Sequence, residues 1–170
     1  MDESSPKTTA NTVRLWSYTK PEIEKDTKKY KSNSFSFYTI RGNSVIDFQE
    51  HSKKENVMEF LERIRSCNPN GRVLIILDNF KSHHAGKVAE KAQELNIDLV
   101  FLPPYSPDLN PIELIWKSIK RVVSRTFICS REIMCKVIEY AFLTLSKSMS
   151  YAKSWIPKFL PPEVQKTITG

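Results

Sequence analysis

The feature that most constrains this chain is the apolar run Val73–Leu77, which ends at Asp78. A short run that is apolar at every position is typical of a central strand whose two faces are both covered by helices. The residue after such a strand lies at the carboxyl edge of the sheet, where open α/β sheets bind ligands. An aspartate in this position can also be a turn or cap residue, so Asp78 alone does not establish a site.

A second acidic residue, Glu113, follows Asp78 with 34 residues between them (113 − 78 − 1). The preceding Asn110-Pro111 pair is typical of a helix start, with asparagine as N-cap and proline at the first helical position. Glu113 then lies in the first turn, where the helix dipole stabilises a negative charge. Two carboxylates from a strand end and a helix start can converge, and their leading use is to hold Mg²⁺.

The hydrophobic periodicity predicts the element order β-β-β-α-β-α-β-α-α, hence a mixed sheet with helices packed on it. A capping box at Ser52 and Glu55 begins the first helix, and the tail from Tyr151 is predicted to be irregular. The predicted strands are Thr12–Tyr18, Phe35–Ile40, Ser44–Phe48, Val73–Leu77 and Asp98–Leu102. Three later helices are predicted: one covers Ala85–Leu95, one begins at Asn110, and one covers Ser130–Ser148.

Core residues are predicted for the last two helices from the same periodicity. On the helix that begins at Asn110 they are Ile112, Ile115, Trp116, Ile119, Val122 and Val123. On the final helix they are Ile133, Val137, Ile138, Ala141, Phe142 and Leu145.

The positive charge of the chain is concentrated after Glu113. The net charge is +7; residues 114–170 carry 10 Lys or Arg and three Asp or Glu, whereas residues 1–113 carry 16 of each. A basic segment beside carboxylates fits a polyphosphate backbone as substrate, although a solvated helix face is an equal explanation for charge alone.

One side of the predicted third helix combines Glu113 with a row of cations. At about 100° per residue, Lys117, Lys120 and Ser124 fall within about 40° of Glu113. Arg121 lies slightly farther round, and Arg125 is one turn beyond it. Core packing does not explain this arrangement, so the candidate phosphate-binding residues are Lys117, Lys120, Arg121 and Arg125.

Other residue types exclude several alternatives. The three cysteines, Cys67, Cys129 and Cys135, show no zinc-site spacing and are predicted to be reduced thiols. His83 and His84 are interpreted as surface or structural residues. A signal peptide or long apolar segment is not found, which predicts a soluble, intracellular protein.

Two segments resemble a known family. Leu-Asp-Asn-Phe-x-Ser-His at 77–83 and Phe-Leu-Pro-Pro-Tyr-Ser-Pro-Asp-Leu-Asn-Pro-Ile-Glu-x-Ile-Trp at 101–116 are similar to the catalytic core of mariner-type and related insertion-sequence transposases. These enzymes form the DDE branch of the ribonuclease H-like nucleotidyltransferases. The 34-residue interval is similar to the family's usual one, and the resemblance covers roughly residues 2–128.

The resemblance implies a catalytic triad of Asp2, Asp78 and Glu113. Asp2 corresponds to the first aspartate because the family's first strand ends in a segment similar to Met1-Asp2-Glu3-Ser4. Glu3, Asp47 and Asp108 remain competitors. The triad would hold two Mg²⁺ ions, with Mn²⁺ as a substitute, about 3.5–4 Å apart on the attacking and leaving oxygens.

The implied protein is a DNA-cutting and strand-joining enzyme of an insertion sequence. Its fold would be an α/β, ribonuclease H-like mixed sheet flanked by helices, with a truncated first strand. Residues 1–128 would form the catalytic domain, with a C-terminal helix and tail at 129–170 packed on it. Transposon ends and target DNA are the expected partners, a homodimer the expected active form, and the cytoplasm of a prokaryote, at the nucleoid, the expected location.

The chain departs from the family before Asp2. Only Met1 precedes it, and the helix-turn-helix region that recognises transposon ends is not found. A catalytic fragment, or a separate upstream reading frame, is therefore expected. The alternatives left open are an inactive remnant that folds and still binds DNA and, less favoured, another ribonuclease H-like nuclease such as a junction resolvase.

Overall fold

The computed structural model describes residues 1–9, 18–19, 22–79, 86–163 and 165. Its strands are β1 Asp2–Ser4, β2 Asn33–Phe37, β3 Val45–Gln49, β4 Val73–Leu77 and β5 Ile97–Phe101. Its α-helices are α1 Lys54–Cys67, α2 Gly86–Glu94, α3 Ile112–Arg125, α4 Arg131–Leu145 and α5 Trp155–Phe159. Two 3₁₀-helices cover Pro107–Leu109 and Met149–Tyr151.

The strands form two sheets that meet at Met1. β1, β2 and β3 are antiparallel in that order, and β4 pairs parallel with β5. The prediction of a mixed α/β fold is confirmed. The two sheets are joined by one hydrogen bond, 2.6 Å long, from the amino group of Met1 to the carbonyl of Ile76. β1 is three residues long, so it reaches β4 at this point alone among the described residues.

Helices cover both faces of the strands. Successive strand residues point to opposite sides, so neighbouring residues pack against different helices. Val45 packs in one core cluster with residues of α1 and α2, whereas the neighbouring Ile46 packs in a second cluster with residues of α3 and α4. The face toward α1 and α2 also contains Met1 and Phe35. The molecule therefore has three layers, with the strands in the middle.

The central strand is less covered than its sequence predicts. Ile75 and Leu77 of β4 are buried, but Leu74 is 58% exposed and Ile76 is half-buried. The prediction that both faces of Val73–Leu77 are covered is therefore wrong for the face that carries Leu74.

The predicted hairpin is confirmed as β2 and β3, with Phe37 opposite Val45 at its last pair. Its loop is longer than predicted, since Tyr38–Ile40 lies outside the strand. The amide of Thr39 donates to the hydroxyl of Ser44, and Gly42 has a φ of +97°, a conformation that glycine adopts without strain. The loop is held on the end of α1 by Asn43, whose amide donates to Asn68 Oδ1 at 2.8 Å.

Two helix starts differ from prediction by one residue. The N-cap of α1 is Lys53, and its backbone N–H donates to the side chain of Asn56 at 3.3 Å. The predicted capping box at Ser52 is wrong, because the Ser52 hydroxyl instead accepts a hydrogen bond from Asn33. The N-cap of α3 is Pro111 instead of Asn110, because the 3₁₀-helix before it ends at Leu109.

The predicted core faces of α3 and α4 need correction at three positions. Val122 of α3 is 39% exposed, while Ser124, predicted to lie on the same side of the helix as Glu113 and outside the core residues, is fully buried. On α4, Ile133 is exposed and Met134 is buried in its place. The other buried residues of these helices agree with the prediction for Ile112, Ile115, Trp116, Ile119, Val123, Ile138, Ala141 and Phe142.

The C-terminal segment is more ordered than predicted. It contains a 3₁₀-helix and α5, and Ile156 is buried. The indole N–H of Trp155 donates to the carbonyl of Leu109 at 2.7 Å, so α5 is tied to the proline-rich loop before α3.

Several predictions fall outside the described residues. Most of the predicted strand Thr12–Tyr18 does so, although Tyr18 and Thr19 are described and form a bend. His83 and His84 also lie outside them. Among the helices of the described part, none is long and apolar enough to cross a membrane.

Candidate metal centre

Asp2 lies on the face of the strands that α3 covers. It pairs with Ser36, which in turn pairs with Ile46, a residue of the cluster that contains α3 and α4. Cross-strand partners point to the same side of a sheet. The side chain of Asp2 is therefore directed toward α3, and it is 94% buried (6% exposed).

Asp78 follows β4 on the same side. Leu77 belongs to the cluster under α1 and α2, so the next residue along the extended chain points the opposite way. The Oδ1 oxygen of Asp78 is buried. The carboxyl end of β4 thus presents Asp78 toward the start of α3.

Glu113 stands in the first turn of α3, and its backbone N–H donates to the carbonyl of Asn110 at 3.1 Å. Its carboxylate is half-buried. The free N–H groups of the first turn favour a negative charge there. Together, β1, β4 and α3 therefore direct three acidic residues toward one region.

The charges of Glu113 and Asp78 both act on Asp2. Burial and these two negative charges together raise the pKa of Asp2 from 3.8 to about 7. The amino group of Met1 and a 2.8 Å hydrogen bond from the amide of Glu3 act in the opposite direction. Like charges held together in a buried place are stabilised by a cation between them.

The Met1 amino group is itself part of this region. Its pKa is lowered from 8.0 to about 6, because the effect of burial exceeds the opposing effect of the negative charges of Asp2 and Asp78. Among the described residues, this amino group is the cation whose positive charge lowers the pKa of Asp2.

A cavity of about 460 Å³ lies between the end of β4 and the start of α3. Both Asp78 and Glu113 line it, so the two predicted acids share one cavity, and the proline-rich loop forms its wall. The lining comprises Asp78, Asn79, Leu102, Pro103, Pro104, Tyr105, Ser106, Pro107, Asn110 and Glu113.

Two residues of this cavity were missed by sequence reasoning as site residues. Asn110 is buried and its carbonyl holds the first turn of α3, so it positions Glu113. Tyr105 has a fully exposed ring and a φ of +59°, a conformation that is unusual for a residue other than glycine. An aromatic residue between the pair Pro103-Pro104 and Pro107 is the sequence signal that could have identified it.

The competing acids are placed differently. Glu3 and Asp47 alternate with Asp2 and Ile46 in the pleat, so they point toward α1, and Asp47 pairs with Arg63 at 2.7 Å. Asp108 is an exposed residue of the 3₁₀-helix before α3. Their positions favour Asp2 over Glu3, Asp47 and Asp108 as the companion of Asp78 and Glu113.

The side chains do not form a complete coordination cage as they stand. Across residues 1–9, 18–19, 22–79, 86–163 and 165, no group of three His, Cys, Asp or Glu is arranged to hold a metal ion. Asp2 instead accepts the Glu3 amide. Carboxylate oxygens are nevertheless the donors that Mg²⁺ prefers, and the mutual repulsion at Asp2 fits a bound cation.

The basic residues of α3 are divided by their exposure. Lys117, Arg121 and Arg125 are exposed, whereas Lys120 is half-buried. Because Ser124 is fully buried, the side of α3 that begins at Glu113 does not remain open to solvent as far as Ser124. The exposed cations follow one another along the solvent-facing side of α3, in the order Lys117, Arg121, Arg125.

Comparisons with known proteins bear on the family and on the fold of the chain. A family model described as DDE superfamily endonuclease matches residues 1–134. The crystal structure of the mariner Mos1 paired end complex with Mg is similar to this chain with a TM-score of 0.69 and 21% identity, over 98% of this chain and 52% of that chain. The crystal structure of the catalytic domain of Mos1 mariner transposase gives a TM-score of 0.60 and 20% identity, over 81% and 72% of the two chains.

A curated protein from Sinorhizobium fredii (strain NBRC 101917 / NGR234), the uncharacterized protein y4pE/y4sA, is 41% identical over 64 residues. The matched segment is 37% of this chain and 45% of that protein. The chain also spans about half the length of the Mos1 chain in the paired end complex. At about 20% identity, the likeness to the Mos1 structures concerns the fold.

The layered fold is ribonuclease H-like, as in the similar solved structures, and Asp78 and Glu113 line one cavity between the end of β4 and the start of α3. The family match covers most of the 170 residues. The chain therefore belongs to the DDE superfamily endonucleases.

Proposed function

We propose that this chain is the catalytic domain of a DNA transposase that cleaves DNA and transfers the cleaved strand with the help of Mg²⁺. The observation that carries the proposal is the buried Asp2, whose pKa is raised by burial and by the charges of Glu113 and Asp78. A strand start, a strand end and a helix start contribute one acid each. Two of them, Asp78 and Glu113, line one cavity. Bringing acids together in this way has little structural benefit, because they repel one another.

Asp2, Asp78 and Glu113 are the residues that would hold the metal. Bound Mg²⁺ supplies Lewis acidity to the phosphate and lowers the pKa of the attacking water or hydroxyl. In the first reaction, water attacks the phosphorus and the bond to the 3′-oxygen breaks, leaving a 3′-hydroxyl and a 5′-phosphate. In the second, that hydroxyl attacks a phosphodiester of target DNA, and the target's own 3′-oxygen leaves.

The arrangement of the three acids determines how they would act. Asp78 and Glu113 line the cavity that is open to DNA. Asp2 is buried and is not among the residues that line this cavity, so it would have to release the amide of Glu3 to turn both oxygens toward it. The neighbouring Asn110 keeps Glu113 in the first turn of α3 through its carbonyl.

The exposed cations of α3 would contact the DNA backbone. Lys117, Arg121 and Arg125 start one turn after Glu113 and continue along the exposed side of the helix, with Lys120 nearer the protein interior. Contacts of this kind position DNA and carry no sequence information. Tyr105, exposed at the cavity wall, is suited to stack against an unpaired base near the cleaved bond.

Nicking of supercoiled plasmid in Mg²⁺ or Mn²⁺ tests the assignment of the acids. Asp2→Asn, Asp78→Asn and Glu113→Gln should each abolish metal-dependent nicking. The matched controls Glu3→Gln and Asp108→Asn change carboxylates next to Asp2 and in the cavity-wall loop, and they should remain active. Equal nicking by wild type and Asp78→Asn would overturn the proposal. Strand transfer is then measured with a duplex that carries the element's terminal repeat.

The salt dependence of binding to a 20-base-pair duplex tests the phosphate contacts. Each contact contributes about 0.9 to the slope of log K against log salt concentration. A Lys117→Gln/Arg121→Gln variant should therefore lower the slope by about 2. The control Lys136→Gln/Lys153→Gln removes two exposed cations outside α3. An equal loss in both double variants would mean that the basic surface is not specific to α3.

A second candidate function is that of a DNA-binding remnant without nuclease activity. The observation that favours it is that the acids are not arranged as a cage. DNA binding with the expected salt dependence, but without nicking in either metal, would support this second function. A homodimer as the active form is a further part of the proposal, and sedimentation of the chain with and without DNA tests it.

A further inference from the structure

A cationic groove lies at the end of the three-stranded sheet, where α1 and α4 begin. It is a cavity of about 680 Å³, and it contains residues next to the ends of β1, β2 and β3. Its charged lining residues are Lys29, Lys31, Glu50 and Arg131, together with His51. None of the residues that line the cavity of Asp78 and Glu113 belongs to it. The cationic groove is therefore separate from the candidate metal centre.

The charge of the groove is mainly positive and uncompensated. Lys29, Lys31 and Arg131 line it with one acid, Glu50, and all four side chains are exposed. Within the part of the chain that the structure describes, none of the three cations forms a salt bridge. They come from the segment before β2 and from the start of α4, so the fold brings them together. The solvated face of a single helix does not explain this cluster.

A further lysine stands opposite Lys31. The two chains meet in an antiparallel bridge between Lys7 and Lys31, and cross-strand partners have their side chains on the same side. Like charges that are directly opposite one another destabilise such a pair. An anion bound beside Lys7 and Lys31 would remove this repulsion.

The segment that carries Lys29 and Lys31 is held in place through Tyr30. The backbone N–H of Tyr30 donates to the hydroxyl of Thr8 at 3.0 Å, and its carbonyl accepts from the amide of Thr8 at 3.0 Å. The Tyr30 hydroxyl donates to the carbonyl of Cys129 at 2.7 Å, in the connection between α3 and α4. The two lysines are thus fixed near the end of α3 before a ligand binds. A preorganised site of this kind loses less conformational freedom on binding.

The position of the groove relates it to the exposed cations of α3. Arg125 is the last residue of α3, and Arg131 begins α4 after a short connection. From Glu113 to Arg125 the helix rises by about 18 Å at about 1.5 Å per residue. A DNA strand carries one phosphate per about 3.4 Å of helix axis, so this length corresponds to about five nucleotides. The cations of α3 therefore lie between the acidic residue at its start and the groove beyond its end.

We propose that the cationic groove binds backbone phosphates of the same DNA, about five or more nucleotides from the bond that is cleaved. Lys29, Lys31 and Arg131 would contact these phosphates, and such contacts fix the register and orientation of a duplex without reading its sequence. The identity of the ligand as DNA rests on the proposed function. The groove contains none of the three acids, so a test of binding separates this inference from the nuclease assignment.

The salt dependence of binding to a 20-base-pair duplex, measured without divalent metal, tests the groove. Lys29→Gln/Lys31→Gln should lower the slope of log K against log salt concentration by about 2, since each phosphate contact contributes about 0.9. Both lysines are exposed, so the variant should fold, which circular dichroism verifies. The matched control Lys87→Gln/Lys153→Gln removes two exposed lysines outside the groove and should leave the slope unchanged. A fall of less than about 1 in the groove variant, or equal falls in the two variants, would overturn the inference.

Acetylation of lysine side chains with N-hydroxysuccinimidyl acetate, followed by mass spectrometry, locates the contact on the wild-type chain. The duplex should slow the acetylation of Lys29 and Lys31 at least threefold relative to Lys87. Inorganic tripolyphosphate is the second probe, because a small phosphate compound has the same chemistry. Protection of the two lysines by tripolyphosphate but not by the duplex would assign the groove to such a compound and overturn the inference.

The nicking assay keeps the two proposals apart. Metal-dependent nicking by a protein whose groove lysines the duplex does not protect would contradict the groove and leave the proposed function standing. Protection of Lys29 and Lys31 by the duplex, without nicking in either metal, would support the groove and contradict the nuclease.

Discussion

At the scale of single residues, Asp2 is harder to identify as a site residue from its neighbours in sequence than Asp78 and Glu113 are. Asp78 follows from an apolar run, and Glu113 follows from a helix start. Asp2 has no such local pattern, and its assignment came from the resemblance alone. Its burial depends on Ser36 and on α3, more than thirty residues away in the chain. Long-range packing of this kind is not encoded in any short segment.

The acidity of Asp2 predicts how stability depends on pH in the absence of metal. Its pKa is raised from 3.8 to about 7, so the folded state binds the proton more tightly and the free energy of unfolding should fall as pH rises from about 4 to 7. The Met1 amino group has a lowered pKa of about 6, so its contribution should rise between about pH 6 and 8. Urea unfolding in EDTA should therefore show the lowest stability near pH 6–7.

The substitution Asp2→Asn should remove the fall in the free energy of unfolding between about pH 4 and 7, because asparagine does not titrate. At pH 8 the variant should be more stable than wild type by up to a few kcal/mol, since each pKa unit corresponds to about 1.36 kcal/mol. The two proteins should converge as pH approaches 4. Urea unfolding of both proteins across this range measures the difference, with Glu3→Gln as the neighbouring control. A less stable Asp2→Asn protein at pH 8 would contradict the burial of a charged Asp2.

Arg65 has a structural role that its position in α1 does not reveal. Its guanidinium donates to the carbonyls of Leu95, Asn68, Gly71 and Asn96 at 2.7–3.0 Å, so one side chain joins the ends of α1 and α2. Lysine cannot reproduce this planar fork. Arg65→Lys should lower the free energy of unfolding by about 1.5–3 kcal/mol, the range for hydrogen bonds of charged groups. Arg63→Lys, also on α1, should cost less than 1 kcal/mol, because the Arg63 side chain is 48% exposed and lysine keeps the positive charge beside Asp47.

At the scale of elements, hydrophobic periodicity predicted the existence and order of most helices and strands. It was less successful at their ends, where single hydrogen bonds decide. The Ser52 hydroxyl accepts a hydrogen bond from the side chain of Asn33 and does not cap α1, which begins at Lys54 after the N-cap Lys53. The errors at Val122, Ser124 and Ile133 have another origin, since each helix contacts more than one neighbour. An average stripe cannot predict which flank a second neighbour covers.

The predicted start of α4 is confirmed, since its N-cap is Ser130, the residue at which the sequence predicts that the helix begins. The Ser130 hydroxyl accepts the amide of Ile133 at 3.2 Å. Ser130→Ala should therefore lower the free energy of unfolding by about 1 kcal/mol, whereas Ser130→Asp should retain stability because aspartate caps equally well. Thermal unfolding of the three proteins measures the difference. Equal losses for alanine and aspartate would mean that the hydroxyl acts through packing instead.

At the scale of the whole molecule, the fold class was predictable because alternating strands and amphipathic helices admit few layer arrangements. The division into two sheets was not, since it depends on how far β1 extends beside β4. The acidic centre joins β1 of one sheet, β4 of the other and α3 above both. Its integrity is therefore a property of the entire fold.

A metal that binds this centre should stabilise the whole chain. A ligand specific for the folded state contributes about 2.7 kcal/mol at a hundredfold excess over its Kd. Mg²⁺ should therefore raise the Tm of wild type, with the largest rise above pH 7, where Asp2 is ionised. Asp78→Asn and Glu113→Gln should reduce the rise, and Asp108→Asn should not. An equal rise in Asp78→Asn would place the ion elsewhere.

The edge of β4 opposite β5, which no strand covers among the described residues, also has a consequence for the handling of the protein. Open strand edges with apolar neighbours are sites at which copies of a chain aggregate. Arg41 and Arg72 line a cavity that Leu74 and Ile76 of β4 also line, and both arginines are exposed. Cationic side chains in such positions act as gatekeepers against edge-to-edge association. Solubility should consequently decline at high ionic strength, which screens these two charges, and light scattering during a salt titration would follow it.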